Sequence, residues 1–411
     1  MRARRTQVII GVLAAAVMTM AADATAGAVA PLPSRSDTVR ARVSASVHET
    51  VVRGAPPVRV ARAWPVMGTV LTITVWGSPA DTTALLALVH SARDSVRLVD
   101  SLMSTYRPTS DLSRVNARAG RGAVRVSPHV IAVLELAQRD WRLSGGAFDP
   151  TVGPLVDAWG FHDAHPRVPR DGELDSLRAL VGFARVEIDT AASTVRLPVR
   201  GMRLDVGGIA KGYALALARR ALDDPRVRGG AVDLGGNVVV FGLPPSGRQW
   251  HIGIRHPRSA PGGGDALLGV VALDSGSVAT SGDYEHAFLV GGVRYAHLID
   301  PRSGRPAHGV MAATVIAPTP TWTDGLSAAL YLVGPRRAMA LADSLEGIGA
   351  IVVTDSGDGT VARSDIHLST RAAATFTEDP ALPAARGHAA TRQRVTGPTV
   401  LPPGPARHAS G

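Results

Sequence analysis

Residues 204–214 constrain the fold most, because an apolar run ends there in an acidic residue, two glycines, a lysine and a helical pattern. This order is typical of a strand that ends in a glycine turn at the N-terminus of a helix. Such a turn exposes backbone N–H groups and lets a phosphate approach closely. The residues alone leave a second interpretation open, an ordinary glycine turn with a solvated lysine.

Lys211 stands out in this stretch, because it is the only lysine in a sequence whose other long cationic side chains are all arginines. A compact ammonium can point at a phosphate without the planar fork of a guanidinium. We therefore regard Lys211 as a candidate phosphate ligand.

The composition excludes several classes of function. The sequence has no cysteine, which rules out disulfides, thiolate metal sites, a cysteine nucleophile and a lipid-modified cysteine anchor. The net charge is +10, but much of the excess arginine lies near the two termini, and aromatic residues make up only 4%. We therefore predict no nucleic-acid partner, because base stacking needs aromatic platforms.

The N-terminus predicts export. A basic start with Arg4-Arg5 precedes an apolar run and small residues, the pattern of a signal peptide over residues 1–30. The apolar run is short for a membrane span, although a retained anchor and a location close to a membrane stay open. The paired arginines are a weak indication of the twin-arginine route, and ordinary secretion is the preferred interpretation. Residues 31–62 lack periodicity and are interpreted as a linker.

Residues 63–366 are predicted to form one catalytic domain of the α+β class, because helices and strands follow each other without a regular βαβ alternation. Residues 367–411 are rich in Ala, Pro, Arg and Thr and are interpreted as a disordered tail. The predicted elements are a strand over 70–76, helices over 82–103, 130–143 and 174–181, a hairpin over 186–197, an interrupted strand over 230–241, helices over 323–332 and 336–345, and a last strand over 348–353.

Several motifs occur in a fixed order. They include Met67-Gly68-Thr69, Ser104-Thr105-Tyr106, Gly146-Ala147-Phe148-Asp149-Pro150-Thr151-Val152-Gly153-Pro154-Leu155, the 204–214 stretch, Asp233-Leu234-Gly235-Gly236-Asn237, Thr280-Ser281-Gly282-Asp283-Tyr284, His297-Leu298-Ile299-Asp300-Pro301 and Asp324-Gly325-Leu326-Ser327. In this order and spacing the sequence resembles the ApbE family of FAD:protein FMN transferases. The resemblance extends over residues 63–353.

The resemblance implies an activity and a set of site residues. The family cuts FAD at its pyrophosphate, transfers FMN to a Thr or Ser hydroxyl of an acceptor flavoprotein with Mg²⁺, and releases AMP outside the cytoplasm. It implies that His297 is the general base and Asp324 a catalytic metal ligand, together with the backbone carbonyl of Gly208. The implied FAD contacts are Met67, Tyr106, Ala147, Phe148, Asp149, Asp205, Lys211 and Ile299.

These residue types suit the chemistry, although each also has an ordinary structural explanation. Phosphoryl transfer needs positioning and charge neutralisation, and Mg²⁺ prefers hard oxygen ligands such as the Asp324 carboxylate. A histidine imidazole can accept a hydroxyl proton near neutral pH, which suits His297 to the function of a base. On their own, His297 and Phe148 would fit a packed core, Asp324 would fit a helix N-terminus and Asp149 would fit a turn.

One position departs from the family pattern. The family usually has a threonine one helical turn after the metal-binding aspartate, where this chain has Ala328. Ser327 is predicted to supply an oxygen instead, from a neighbouring helix position about 100° away. Two alternatives to the transferase therefore stay open: an enzyme that hydrolyses FAD to FMN and AMP, and a flavin-binding protein of the cell envelope without turnover.

Overall fold

An antiparallel sheet forms the centre of the protein in this computed structural model, which describes residues 56–161, 166–244, 246–259, 266–356 and 360–383. The predicted signal peptide, most of the linker and the last residues of the tail lie outside these ranges. The strands are β1 Val58–Val66, β2 Thr69–Gly77, β3 Val124–Arg125, β4 Glu187–Asp189, β5 Thr194–Arg196, β6 Gly229–Leu234, β7 Asn237–Gly242, β8 Trp250–Arg255, β9 Leu267–Leu273, β10 Gly276–Gly282, β11 Ala287–Val290, β12 Val293–Ala296, β13 Ile299–Asp300, β14 Arg305–Pro306, β15 Val310–Ala317, β16 Gly349–Thr354, β17 Ile366–Leu368 and β18 Phe376–Glu378.

The helices are interspersed among these strands, which confirms the α+β class. They are α1 Thr82–Met103, α2 Asp111–Ala117, α3 Pro128–Ser144, α4 Gly153–Trp159, α5 Asp171–Arg178, α6 Ala210–Ala221, α7 Pro320–Val333, α8 Pro335–Asp343 and α9 Thr370–Thr375. In the described ranges, no helix has both the length and the apolar character needed to cross a membrane.

The central sheet has the strand order β1-β2-β6-β7-β10-β15-β16-β17, and all its neighbours pair antiparallel. Helices α1, α6 and α7 pack together, and α7 lies against β10 and β15. The small sheet β18-β9-β8 shares a second apolar cluster with the opposite face. The central sheet is therefore covered on both faces.

Strand β15 has an almost unbroken apolar sequence because it is covered on both faces. Ala313 and Val315 enter the main core under the helices, whereas Ala312 and Ile316 enter the second cluster with Phe376. Successive side chains of a strand point to opposite faces, so a strand covered on both sides is apolar throughout. Every residue of β15 is accordingly buried.

Two predicted boundaries were wrong. Strand β1 begins at Val58, inside the range assigned to a linker, and pairs along its whole length with β2. Residues 366–378 form β17, α9 and β18, so the tail assigned to 367–411 begins later and β16 is not the last strand. The Ala- and Thr-rich α9 carries little periodic signal, and Phe376 is held by tertiary contacts that no local pattern predicts.

Two further elements differ from the prediction. Residues 204–206 are extended but belong to no sheet, because their backbone groups bond to the Asn116 side chain and to the Pro150 carbonyl. The interrupted strand over 230–241 is a hairpin of β6 and β7. Its turn residues Gly235 and Gly236 have φ of +63° and +89°, as a tight hairpin turn requires.

Candidate active site

Helices α6 and α7 cross in contact at Gly212. A Cβ atom at this position would lie 2.5 Å from the carbonyl oxygen of Pro320 and 2.7 Å from Cβ of Asp324. Only glycine allows so close an approach. The Gly212 N–H then donates a hydrogen bond of 2.9 Å to Oδ2 of Asp324. The helix crossing thus fixes one carboxylate oxygen against the first turn of α6.

The Asp324 carboxylate lies in a buried cluster of hydrogen-bond donors. The residue is 5% exposed, and its Oδ1 accepts a hydrogen bond of 2.6 Å from Nδ2 of Asn237. The ammonium nitrogen of Lys211 lies 3.6 Å from the same oxygen. A buried carboxylate is stable only when it is paired in this way.

Lys211 is positioned in the first turn of α6, partly exposed beside this carboxylate. Its Nζ also donates to the carbonyl of Gly207 at 3.3 Å. Next to it, a Cβ on Gly208 would lie 3.5 Å from the Phe148 ring and 4.0 Å from Cβ of Ala328. The structure therefore brings together the glycine turn, the Phe148 loop and α7.

The glycine turn is held in place before any ligand binds. The Asn116 side chain bonds to both the N–H and the C=O of Leu204, at 2.8 and 2.9 Å. The Asp205 N–H donates to the Pro150 carbonyl at 2.7 Å, and its Oδ1 accepts from the Gly207 N–H at 2.8 Å. Asp205, a predicted FAD contact, thus shapes the turn from within.

Asp149 has a similar structural function. Its carboxylate accepts hydrogen bonds from the backbone and hydroxyl of Thr151 and from the Phe183 N–H. Burial raises the pKa of Asp149, and these hydrogen bonds act in the opposite direction. The carboxylate holds the loop that carries Ala147 and Phe148, both of which are buried.

Met67 and Tyr106 lie in two turns of the chain. Met67 has φ of +51° in the β1–β2 turn, where non-glycine residues are uncommon. This turn adjoins the β6–β7 turn, since Gly235 donates to the Val70 carbonyl and Asn237 follows it toward Asp324. Tyr106 follows α1 and is 71% exposed, so its ring presents a flat face to solvent.

His297 and Ile299 lie after β12 and in β13. The His297 ring packs edge-on against His286, and its Nδ1 lies 3.3 Å from the His286 carbonyl oxygen. If Nδ1 carries the proton and donates it there, Nε2 keeps a lone pair and can act as a base. Ile299 is 4% exposed in an apolar cluster with Trp159, so a contact with FAD would come from its backbone.

The oxygen donors near Asp324 suit a magnesium ion that binds partly through its substrate. Asp324 supplies a carboxylate, and Gly208, which lies against Ala328 of the same helix as Asp324, has a backbone carbonyl, whereas Ala328 supplies no oxygen. In the described part of the chain, no group of three His, Cys, Asp or Glu residues could hold a metal. Since Mg²⁺ commonly binds through one carboxylate, waters and phosphates, the residues present fit this ion.

Ser327 is less suited to the ligand function that was predicted for it. Its hydroxyl donates to the Asp324 carbonyl at 2.8 Å and lies 2.8 Å from the Ser281 hydroxyl, and the residue is 1% exposed. These contacts tie α7 to β10. Ser327 therefore stabilises the helix that carries Asp324.

A wide cleft lies beside the segment that leads into the glycine turn, since Met202 and Arg203 line it. It has a volume of about 820 Å³ and is lined by Thr105, Asn116, Asp157, Leu177 and Arg203, among others. Neither Lys211 nor Asp324 lines it. Because Thr105 precedes Tyr106, the cleft adjoins one end of the proposed ligand site.

Sequence reasoning missed three side chains that shape the site. Asn237 ends the motif at residues 233–237, and its position after two turn glycines could have suggested a function. Ser281 also stands in a motif, but its contact with α7 depends on tertiary packing. His286 carries no local signal at all, since it meets His297 only because β11 and β12 pair.

Comparison with known proteins identifies the family of this chain. The model of the ApbE family matches residues 67–352, a range that contains every residue of the candidate site. The FAD:protein FMN transferase of Vibrio cholerae is 33% identical over 309 residues, which cover 74% of this chain and 90% of the relative.

Solved structures show the same similarity. The ApbE protein of Thermotoga maritima superposes with a TM-score of 0.69 at 31% identity, covering 78% of this chain and all of that chain. The flavin transferase ApbE of Vibrio cholerae superposes with a TM-score of 0.66 at 31% identity, with the same coverage. The similarity thus extends over the sheet, the helices and the loops described above.

Proposed function

This chain belongs to the ApbE family, and on that premise we propose that it is an FAD:protein FMN transferase. In this proposal it uses Mg²⁺ to move FMN from FAD to a Thr or Ser hydroxyl of an acceptor protein, and AMP leaves. One observation carries the proposal: the only lysine of the chain lies 3.6 Å from a buried carboxylate, at the first turn of α6.

The charges at this position suit a pyrophosphate. The Lys211 ammonium and the N-terminal end of α6 both favour a negative ligand. The ammonium forms an ion pair with Asp324 and donates a hydrogen bond to the Gly207 carbonyl. A bound pyrophosphate would take over part of this contact, and the buried carboxylate would keep the lysine oriented toward it.

We propose the following transfer step for these residues. The acceptor hydroxyl oxygen attacks the phosphorus of the FMN half of FAD, and the bond from this phosphorus to the bridging oxygen breaks. AMP departs with the bridging oxygen, and the hydroxyl proton passes to Nε2 of His297. Lys211 holds the phosphate oxygens during the step. The Tyr106 ring, which is exposed, offers a flat face for stacking of an FAD ring, whereas Phe148 is buried and would support the site from the core.

Asp324 and the Gly208 carbonyl would hold Mg²⁺ in this proposal. When bound, the ion supplies neutralisation of the negative charge that develops on the pyrophosphate. The hydrogen bonds from Gly212 and Asn237 orient the Asp324 carboxylate for that purpose. Groups that orient a metal ligand in this way commonly affect affinity nearly as much as the ligand itself.

Hydrolysis of FAD is a second candidate activity, and Ala328 favours it. This position is buried beside Gly208 and offers no oxygen to a metal. A site that holds Mg²⁺ more weakly would place the acceptor hydroxyl less firmly, and water could then replace it. The products would be FMN and AMP without a labelled protein.

Incubation of the purified protein with FAD, Mg²⁺ and an acceptor domain tests both candidates. We expect flavin fluorescence that stays on the acceptor after denaturation, together with one AMP for each FMN transferred. AMP and free FMN without labelling would replace the transferase by the hydrolase. Bound FAD without either product would contradict both enzyme activities.

The variant Asp324→Ala tests the site itself. We expect it to abolish Mg²⁺-dependent turnover, because the buried carboxylate would be lost from the metal site. The matched control Asp365→Ala removes another buried aspartate, which bonds to the Ala362 N–H and the Ser356 hydroxyl far along the chain. Wild-type turnover in Asp324→Ala would remove this residue from the mechanism.

We also propose that the protein acts outside the cytoplasm, on the support of its N-terminal sequence. The basic start, apolar run and small residues of positions 1–30 favour export. Fractionation of cells that express the full chain tests this proposal. Recovery of the protein in the cytoplasm at its full length would contradict it.

A further inference from the structure

Asp140 is a buried aspartate that the proposed mechanism does not use. It lies on α3, its side chain is fully buried, and its Oδ1 accepts a hydrogen bond of 2.8 Å from Nε of Arg139. Its Oδ2 has no hydrogen-bond partner, and among the described residues it is the one buried side-chain oxygen or nitrogen in this state. Such an atom costs stability and calls for an explanation.

The unpartnered oxygen faces the first turns of α7. A Cβ atom on Gly325 would collide with this oxygen and would also come within 2.8 Å of Ile209. Gly325 directly follows Asp324, the carboxylate of the candidate site. The close approach of α3 to α7 is therefore made one residue away from the site.

Arg139 completes the contact between the two helices. Its Nη2 donates to the carbonyl of Thr321 at 2.7 Å, and its guanidinium lies 3.7 Å from the centre of the Trp322 ring. Thr319, which precedes α7, makes no side-chain capping hydrogen bond. The first turn of α7 is thus held by the Arg139–Asp140 pair of another helix.

The electrostatics agree with a function beyond stability. Burial raises the pKa of Asp140 to about 6, the charge of Asp324 adds to the rise, and Arg139 opposes it. At neutral pH the buried carboxylate is ionised at a cost in free energy. The ionised carboxylate makes a charge-assisted hydrogen bond to Arg139, and this bond fixes the guanidinium against Trp322 and Thr321.

We propose that Asp140 is a positioning residue, which acts through Arg139 to hold the first turn of α7 and so keeps the Asp324 carboxylate facing Lys211 and Gly212. The proposal rests on the proposed function only in assigning Asp324 to the FAD site. It assigns no contact between Asp140 and the substrate. Its observable consequence is a coupling between Asp140, the Trp322 ring and the affinity for FAD.

The test compares Asp140→Asn with Arg139→Lys and with the control Asp365→Asn. Each protein is labelled with 5-fluorotryptophan, and the ¹⁹F resonance of Trp322 is assigned among the six tryptophans by Trp322→Phe. FAD affinity is measured in the same samples by fluorescence quenching, with Mg²⁺ present. Neither readout requires turnover.

We expect Asp140→Asn and Arg139→Lys to shift the Trp322 resonance and to raise the FAD dissociation constant about tenfold, as for groups that orient a ligand residue. Asp365→Asn should change neither. A shifted resonance with unchanged FAD affinity would overturn the proposal, and so would an unmoved resonance. Arg139 is partly exposed, so Arg139→Lys decides the question if Asp140→Asn does not fold.

Failure of the proposed function would be distinguishable from failure of the Asp140 proposal. A wild-type protein that does not bind FAD would contradict the assignment of the site. The position of the Trp322 resonance in the variants would then still report whether Asp140 holds α7.

Discussion

At the scale of single residues, the site depends on one carboxylate whose partners are all supplied by other elements. Asp324 accepts from Gly212 of α6 and from Asn237 of β7, and Lys211 lies beside it. The sequence motifs predicted Asp324 and Lys211 as site residues, and the structure places them together. The hydrogen-bond partners of the Asp324 carboxylate could not be predicted, because Asn237 and Gly212 lie 87 and 112 residues away in the chain.

Ala328→Thr is expected to strengthen the metal site. The new hydroxyl would lie beside Gly208, one helical turn after Asp324, and an added ligand worth about 1.4 kcal/mol would lower the Mg²⁺ concentration for half-maximal turnover about tenfold. The control is Ala328→Val, which has the same shape without the oxygen. Equal Mg²⁺ dependence of the two variants would show that position 328 does not face the ion.

The buried Asp140 also predicts a pH dependence of stability. Its pKa of about 6 in the folded protein exceeds the ordinary 3.8, so the native state holds the proton more tightly than the unfolded chain. The free energy of unfolding therefore falls as pH rises from about 4 to about 6, by about 3 kcal/mol for this group. Above about pH 6, the contribution of Asp140 to the free energy of unfolding no longer changes with pH.

Urea unfolding at pH 4.5 and pH 7.5 measures this effect. Between the two pH values the wild type should lose stability relative to Asp140→Asn, whatever the absolute stability of the variant. A wild type whose stability follows that of the variant at both pH values would contradict an elevated pKa.

At the scale of elements, the crossing of α6 and α7 creates the site. The helical pattern after residue 209 and the helix over 323–332 were both predicted, and α6 and α7 confirm them. Their contact at Gly212 could not be predicted, since a glycine inside a helix shows only that space is short or that flexibility is needed. The segment before the turn was expected to be a strand because Leu204 and Val206 are apolar. Both side chains are buried in the main core, but the segment itself is a loop.

Gly212→Ala is expected to separate these helices. The methyl group would press on the Pro320 carbonyl and on Asp324, so we expect a loss of about 1–3 kcal/mol in the free energy of unfolding and a marked loss of FAD affinity. The control is Gly172→Ala in α5, where a Cβ meets nothing within 4 Å and helix propensity should raise stability slightly. Unchanged FAD affinity in Gly212→Ala would contradict a site formed by this contact.

At the scale of the whole molecule, the described C-terminal residues belong to the fold. Phe376 pairs with Val271 of β9 and is buried in the second cluster on the sheet. The motifs that mark the domain in the sequence stop near residue 353, before β17 and β18. The strands beyond them are recognised only through the partners that they meet.

Phe376→Ala should therefore destabilise the protein by about 3 kcal/mol, the usual cost of removing a buried phenylalanine. Phe376→Leu, which keeps most of the apolar volume, should cost less than about 1.5 kcal/mol. Urea unfolding followed by circular dichroism gives both values. Equal stability of the alanine variant and the wild type would contradict the packing of this segment in the fold.

Strand β15 contributes alternate residues to the two apolar clusters, and α7 packs on it. Neither layer can detach without exposing one face of the same strand. The two clusters therefore form one cooperative unit. The C-terminal layer cannot open locally without also disrupting the packing of the helices that carry the site. Amide hydrogens of β15 should exchange only when the whole protein unfolds, so the rigidity of the site is a property of the entire domain.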